Sequence, residues 1–296
     1  MKKEGEVLPR TNLFDLLASH FDIATELGRI ERLAESEDVI RTSPRDSYTL
    51  YEYVEKFCFE KWKNRGRCLD LDDFVEVVDY AALWKSAPYD FKDLLLLIEI
   101  VYNFWYMVHV DGVVYQPYQG NLSYTNTFCL LKQLMDDVLA HYNYKGEYFP
   151  DEEQLIVTEN CAAATAVAEI TDAEIGRVVL KYNHFVLKGD LAAKKNILVS
   201  LGGDLEPKRV TLEAIDKQLT SDIFFMLNNM NLRHNNCVPG TPKYKVTVDA
   251  LDDKAMEEWY DELYQMILLA YLKLDHEQRK PKISHLKDCV SGGILL

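Results

Sequence analysis

Apolar residues recur along most of this chain at intervals of three and four residues, the spacing that places them on one face of an α-helix. In the first half the pattern predicts a helix that is apolar on nearly all sides, and such a helix lies at the centre of a core. The residues Leu13, Leu16, Leu17, Phe21 and Ala24 form a shorter apolar face near the start. The predicted helices of this half span residues 47–64, 70–84, 91–109, which is the apolar one, and 125–142.

The second half continues the same spacing with short breaks. Leu155–Thr158 has the composition of a short strand, and the alanine-rich stretch 161–168 is suited to close packing against another helix. Four helices are predicted after it, at 172–187, 190–201, 212–235 with a break near Thr220–Ser221, and 252–277.

A turn-rich polar segment, 144–153, separates these two series of helices. It predicts a mostly α protein with two helical domains, residues 1–150 and 151–296, the second an antiparallel helical bundle. Asp111-Gly112 lies between two apolar stretches and is typical either of a β-hairpin turn or of a helix exit.

Charge is distributed unevenly over the chain. The 296 residues carry a formal net charge of -15, which argues against a protein that coats nucleic acid nonspecifically. Between Lys181 and Lys245, however, ten Lys or Arg stand against six Asp or Glu. This locally basic segment is therefore the region in which we expect an anionic ligand.

Targeting and metal signals are weak. The first residues are not followed by an apolar stretch as in a secretory signal, and the apolar run 94–108 is interrupted by Glu99 and Asn103. We expect a cytoplasmic protein that does not span a membrane. The six cysteines lack a Cys-x-x-Cys pair, so neither a metal site, a disulfide framework nor a cofactor is predicted.

Two groups of polar residues carry the candidate chemistry, since the chain has no phosphate-binding loop, dinucleotide fingerprint, zinc motif or serine elbow. The first group contains His184 and Lys188, one helical turn apart, followed by Asp190 and Lys194 with the same spacing. These residues are candidates for ligand binding. The alternative is a solvated helix surface with Asp190 as an N-terminal cap.

The second group is a run with five Asn, one Arg and one His within residues 228–236. If the preceding helix continues, Asn228, Asn231 and Asn235 form one amide stripe, which suits a phosphate or nucleotide ligand. Arg233 supplies a fixed charged fork and His234 titrates near neutral pH, a combination that suits anion binding and proton transfer. The alternative is that Asn235 or Asn236 ends the helix and that both cationic groups meet its last carbonyls.

Together these residues carry a resemblance. Tyr182-Asn183-His184, Leu187-Lys188-Gly189-Asp190, Lys194-Lys195 and the Asn-Leu-Arg-His-Asn run, on four helices, resemble the C-terminal domain of abortive infection proteins. That domain is similar to the wider HEPN group of helical domains, many of which are metal-independent ribonucleases or RNA-binding modules. The resemblance covers about residues 155–280 and implies a HEPN-like bundle, a homodimer and a role in phage defence. The last predicted helix favours the same homodimer, because it carries more apolar side chains than one bundle face commonly needs: Trp259, Tyr260, Leu263, Tyr264, Ile267, Leu268 and Tyr271.

The resemblance has one clear departure. Active HEPN domains carry four to six residues between Arg and His, whereas Arg233 and His234 are adjacent. We therefore expect an RNA- or nucleotide-binding protein, with cleavage by His234 and Arg233 as a further hypothesis. A noncatalytic interaction module is the alternative, and its acidic surface would contain Asp249, Asp252, Asp253, Glu257, Glu258, Asp261 and Glu262.

Overall fold

A computed structural model describes residues 21–37, 39–43, 45–78, 89–111, 115–116, 121–122 and 126–292. These residues are mostly helical, as the apolar spacing predicts. The chain divides into two compact units, one of residues 1–142 and 148–155, the other of residues 143–147 and 156–296. The boundary predicted at residue 150 falls in the β-hairpin whose strands are divided between the two units.

In the first unit, short antiparallel strand pairs stand between helices. The strands are β1 Ile40–Arg41 with β2 Ser47–Tyr48, and β3 Tyr115–Gln116 with β4 Asn121–Leu122. The helices are α1 Ile23–Ala34, α2 Leu50–Tyr53, α3 Leu71–Val77, α4 Phe91–Asp111 and α5 Asn126–His141. Much of the apolar face predicted over residues 13–24 lies outside the described residues, and α1 was not predicted.

Helix α4 is the core helix of this unit. Its residues Leu94, Ile98 and Val101 are fully buried, as the apolar pattern of the helix predicts. Asn103 is buried too, and it is satisfied because its side chain donates to the Leu155 carbonyl and accepts from the Leu155 N–H, both at 2.8 Å. The helix is long and apolar enough to cross a membrane by length and composition, and 56% of that apolar window is buried within the fold.

The helix predicted over residues 47–64 is present but shorter and irregular, with helical conformation from Leu50 to Lys61. Thr49 and Glu52 form a capping box that starts α2 at Leu50, after strand β2. A π-helical turn and a 3₁₀ turn follow, and Trp62 leaves the helical conformation. Its buried indole N–H then donates to the Glu153 carbonyl at 3.4 Å. Packing of the aromatic side chain thus overrides the local helical spacing.

Other local predictions hold. Helix α3 begins after its cap Asp70, as the predicted start at residue 70 requires, and residues 79–84 of the predicted helix 70–84 lie outside the described part of the chain. Helix α4 ends at Asp111, which agrees with the helix exit, rather than the hairpin turn, considered for Asp111-Gly112. Gly112 lies outside the described residues. The predicted strand Leu155–Thr158 lies within strand β6, which pairs with β5. The bounds are β5 Tyr144–Phe149 and β6 Gln154–Glu159.

The second unit contains helices and, between residues 172 and 277, no strand apart from one isolated bridge at His184. Helices α6, α8, α9 and α10 all contact the long last helix α12. The bounds are α6 Ala162–Ile170, α7 Ala173–Tyr182, α8 Leu191–Leu205, α9 Arg209–Ile215, α10 Lys217–Asn229, α11 Val246–Asp249 and α12 Asp253–Gly292. A helical C-terminal unit is therefore present, and its likeness to a HEPN bundle stays a prediction.

Two helix pairs show how this unit is packed. Gly176 of α7 lies so close to α6 that a Cβ there would stand 2.9 Å from the Ala168 carbonyl oxygen, which confirms the close packing expected of the alanine-rich stretch. On α12, apolar residues that motivated the predicted homodimer are buried in the unit's own core, and Trp259 is the exposed exception at 48%. The buried residues are Tyr260, Leu263, Tyr264, Ile267, Leu268 and Tyr271. The homodimer therefore stays a prediction that no longer has the support of an exposed apolar face on α12.

Candidate functional site

The helix expected over residues 212–235 is interrupted and shorter than predicted. The break lies at Asp216, whose backbone is extended and whose side chain accepts from the Leu219 N–H, and not at Thr220–Ser221. Helix α10 then ends at Asn229, before Asn231 adopts a left-handed conformation with φ 56°. Asn adopts this conformation more readily than most residues, so it serves as the helix stop.

The amide stripe therefore does not exist as predicted. Asn228 is half-buried on α10, Asn231 is half-buried in the following loop, and Asn235 is exposed farther along it. The alternative is wrong as well, because the helix ends six residues before Asn235. What does satisfy an end carbonyl of α10 is the backbone N–H of Arg233, which donates to Leu227 at 3.1 Å.

A buried side chain organises this loop. Asn236 is fully buried; its Oδ1 accepts from the Asn231 N–H at 2.9 Å, and its Nδ2 donates to the Lys243 carbonyl at 2.7 Å. Its own carbonyl accepts from the Lys245 N–H at 2.8 Å. Asparagine is suited to this role because its amide donates and accepts at once. Part of the asparagine run is thus explained by structure alone.

Arg233 is held by contacts within the unit. Its Nη2 donates to the Gly202 carbonyl of α8 at 2.9 Å, and its Nη1 lies 2.5 Å from Glu206 Oε2. The guanidinium carbon also lies 5.6 Å from the centre of the Phe224 ring. The predicted partner, His234, is half-buried in the loop. The guanidinium is therefore a clamp between α8 and the loop after α10.

Asn228 belongs to an open groove of about 350 Å³ beside α9 and α10, which we name the Phe225 groove. The Phe225 ring is 62% exposed there, and Lys217 makes no ion pair with any described residue. Arg209 lies 4.6 Å over the Phe224 ring and is paired with Glu213 at 3.0 Å. The lining residues are Arg209, Glu213, Lys217, Ser221, Phe224, Phe225 and Asn228.

His184 and Lys188 meet in a second place, a cleft of about 480 Å³ that we name the Lys194 cleft. They do not share a helix, because α7 ends at Tyr182 and Gly189 takes a φ of 88°. Asp190 is the cap of α8 and accepts from the Ala193 N–H, as the alternative for this group of residues predicts. The lining includes Tyr182, Asn183, His184, Lys188 and Lys194, with Lys254, Glu257, Glu258 and Asp261 from α12.

The floor of this cleft is an ionic network around the buried Lys194, in which the side chain of Glu257 is 18% exposed and that of Asp261 is 49% exposed. Lys194, with 8% of its side chain exposed, lies 2.8 Å from Glu257 and 2.6 Å from Asp261. The Tyr182 hydroxyl donates to Asp261 Oδ1 at 2.8 Å, and the Tyr182 ring stacks on Tyr264 at 4.0 Å. The solvated surface considered for Lys194 is therefore wrong, because its charge is compensated inside the fold.

These contacts shift the acid–base properties of their members. Burial, followed by the charge of Asp261, raises the pKa of the Tyr182 phenol far above its usual value. Burial alone would also raise the pKa of Glu257, but hydrogen bonds from Lys194 and the Gly189 N–H outweigh it and lower that pKa. Glu257 is thus held as a carboxylate, and Tyr182 is held as a neutral phenol.

Glu257 and Asp261 are site residues that the sequence pattern did not predict, since it placed them on an acidic surface. Their spacing of four residues, which puts both on one helix face, was the available signal. Nothing local showed that this face lies against Lys194, 67 residues away from Asp261 in the chain. In the described residues, no group of three or more His, Cys, Asp or Glu side chains is placed to hold a metal ion.

Comparison of the chain with protein-family models, curated proteins and solved structures gives no match.

Proposed function

We propose that this protein binds single-stranded RNA or a nucleotide in the Phe225 groove, as a protein of the abortive infection type. The observation that carries the proposal is the Phe225 ring, 62% exposed beside Lys217 and the Asn228 amide. Exposed aromatic rings next to cations are the usual platform for unpaired bases and their phosphates. The asparagine adds a donor and an acceptor for a base edge.

The charge of the region supports the same ligand. The groove lies in the segment 181–245, where Lys and Arg outnumber Asp and Glu in an otherwise acidic chain. Lys217 is free to meet a phosphate, while Arg209 already contacts Glu213 and retains further donors. Binding at one groove, unlike a coat of nonspecific phosphate contacts, is compatible with the net charge of -15.

Cleavage of RNA is a separate hypothesis. The contacts that Arg233 makes in the structure weaken the support that the sequence gives to this hypothesis. Its guanidinium is already bonded to Gly202 and Glu206, so a role as anion clamp would require those contacts to break. His234 would then act as the general acid or base without that clamp. If it does, His234→Ala should lower the cleavage rate by about 10² to 10⁴ while RNA binding persists.

Fluorescence anisotropy with a short labelled single-stranded RNA tests the binding proposal. Phe225→Ala should weaken binding by roughly 5- to 150-fold, the range for loss of one stacked base. Lys217→Ala should weaken binding and reduce the salt slope by about 0.7, one phosphate contact. Val246→Ala, which removes an equally exposed apolar side chain outside the groove, is the matched control.

Two results would overturn the proposal. One is the absence of RNA and nucleotide binding by the parent protein at low salt. The other is equal binding by Phe225→Ala and Val246→Ala, since the exposed ring would then contribute nothing. Circular dichroism of each variant establishes that its fold is retained.

The alternative function, a noncatalytic module that binds a basic partner, has less support than the sequence predicts. Glu257 and Asp261 are paired with Lys194, Asp249 accepts from Tyr244, and Asp252 caps α12 through the Ala255 N–H. The acidic surface is left with Asp253, Glu258 and Glu262 beside the exposed Trp259. This function would be favoured if neither the parent protein nor any variant bound RNA and if Trp259→Ala no longer bound the basic partner.

A further inference from the structure

The Lys194 cleft takes no part in the proposed RNA groove, and its chemistry points to a different ligand. It is lined by side chains of both signs, with the carboxylates of Glu257 and Asp261 fixed at the floor. A volume of about 480 Å³ is that of a small-molecule site.

Each floor carboxylate has one oxygen occupied and one free. Asp261 Oδ1 accepts from both Lys194 and the Tyr182 hydroxyl, at 2.6 and 2.8 Å. Glu257 Oε1 accepts from the Gly189 N–H at 2.8 Å and lies 2.8 Å from Lys194 Nζ. The second oxygens, Asp261 Oδ2 and Glu257 Oε2, have no hydrogen bond to the described residues.

These two oxygens suit an ammonium group. One buried lysine faces two partly exposed carboxylates, so this group of three carries a net negative charge that an added cation would neutralise. Glu257 and Asp261 are one turn apart on α12 and share a face, and an ammonium has three N–H donors to offer to both. Because the first oxygens are held by the fold, the carboxylates need little reorganisation on binding.

Two further lysines line the same cleft, and their positive charges are not paired with the carboxylates at its floor. Lys188 precedes α8, Lys254 lies in the first turn of α12, and neither forms an ion pair with a carboxylate in the described part of the chain. Both are exposed, so their ammonium groups are available to a carboxylate of the ligand. A ligand with both an ammonium and a carboxylate would thus use every unpaired charge named here.

We propose that the Lys194 cleft binds a small zwitterion of the α-amino acid class. The ligand ammonium lies against the free oxygens of Glu257 and Asp261, and the ligand carboxylate lies against Lys188 and Lys254. Lys194 is a positioning residue, which orients the two carboxylates through their other oxygens. The volume of the cleft leaves room for the ligand side chain.

Isothermal titration calorimetry of the full chain with glycine, L-alanine, L-glutamate and L-arginine tests the proposal. At least one should bind with a dissociation constant below about 1 mM. Its N-acetyl derivative, without the ammonium, and its decarboxylated amine should each bind about 10- to 100-fold more weakly, as expected for loss of a charged hydrogen bond. The four amino acids are the probes because the side-chain preference is not set by the charges at the floor.

Asp261→Asn retains the shape of the side chain and its Oδ1 acceptor but removes the charge, and it should weaken binding by about 10- to 100-fold. Glu262→Gln, the adjacent residue of α12 that does not line the cleft, is the matched control and should bind as the parent does. Lys254→Ala, at an exposed position, should weaken binding of the amino acid and leave binding of the amine unchanged.

Three results would overturn the proposal. They are the absence of binding by all four amino acids, equal binding of the N-acetyl derivative, and equal binding by Asp261→Asn and Glu262→Gln. None of these results bears on the Phe225 groove, whose RNA test uses other residues and another ligand.

Discussion

Replacement of Arg233 by Ala separates a structural role from a catalytic one. The change removes the charged hydrogen bond to the Gly202 carbonyl, worth about 1.5 kcal/mol here because that carbonyl keeps the Glu206 N–H as a second donor. It also removes the ion pair with Glu206, whose side chain is 47% exposed, worth at most about 1 kcal/mol. Loss of the contact with the Phe224 ring adds roughly 0.5 kcal/mol.

The sum predicts that Arg233→Ala lowers the free energy of unfolding by about 2–3 kcal/mol. For a unit of this size, that is a fall of roughly 4–12 °C in the melting temperature. Arg233→Lys should recover less than half of the loss, because an ammonium cannot reach Gly202 and Glu206 with the fixed fork of a guanidinium.

The assay is urea unfolding followed by circular dichroism, with thermal unfolding as a second measure. Arg279→Ala is the matched control, since Arg279 is exposed and, among the residues that the structure describes, pairs only with Asp275, at i,i+4 and 2.7 Å. Its cost should be about 0.3–0.5 kcal/mol. If Arg233→Ala costs no more than Arg279→Ala, and RNA binding or cleavage is lost, the clamp argument fails and the guanidinium acts on the ligand.

Two further changes follow from single contacts. Gly176→Ala should lower the free energy of unfolding by about 1–3 kcal/mol in urea titrations, although Ala is the better helix former, because its Cβ would stand 2.9 Å from the Ala168 carbonyl oxygen; unchanged or raised stability would contradict the close approach. The lowered pKa of Glu257 predicts acid sensitivity: the stability it contributes is present above the unfolded pKa of about 4.5 and is lost as the pH falls through the lower folded value. Glu257→Gln should therefore unfold with a weaker pH dependence below pH 4.5 than the parent, and parallel curves would refute this.

Local features of the fold were accessible from the sequence because they depend on neighbours in the chain. Asp70, Asp172 and Asp190 cap helices where side chains of their type are expected to do so. The apolar pattern of α4 predicted its burial. The predictions failed where a backbone departs from its local preference, as at Trp62, which leaves the helix to bury its indole, and at Asn231, whose φ of 56° ends α10.

The candidate sites were predictable only in part. The sequence identified His184, Lys188 and Asn228, and these residues do line clefts. It joined Asn231 and Asn235 to Asn228 on the assumption of a continuous helix, which the structure does not have.

What the sequence by itself determined is the helical class of the chain, most helix starts and the polar residues available for chemistry, since the helical period and caps act over three or four positions. Only the tertiary structure decided which charges meet. Lys194 pairs with Asp261 across 67 positions, and Arg233 reaches Gly202 across 31. The helical period defines which face of a helix is turned inward, but the helix that covers this face is chosen by the packing of the whole unit, because burial is non-directional and favours any arrangement that removes apolar area from water.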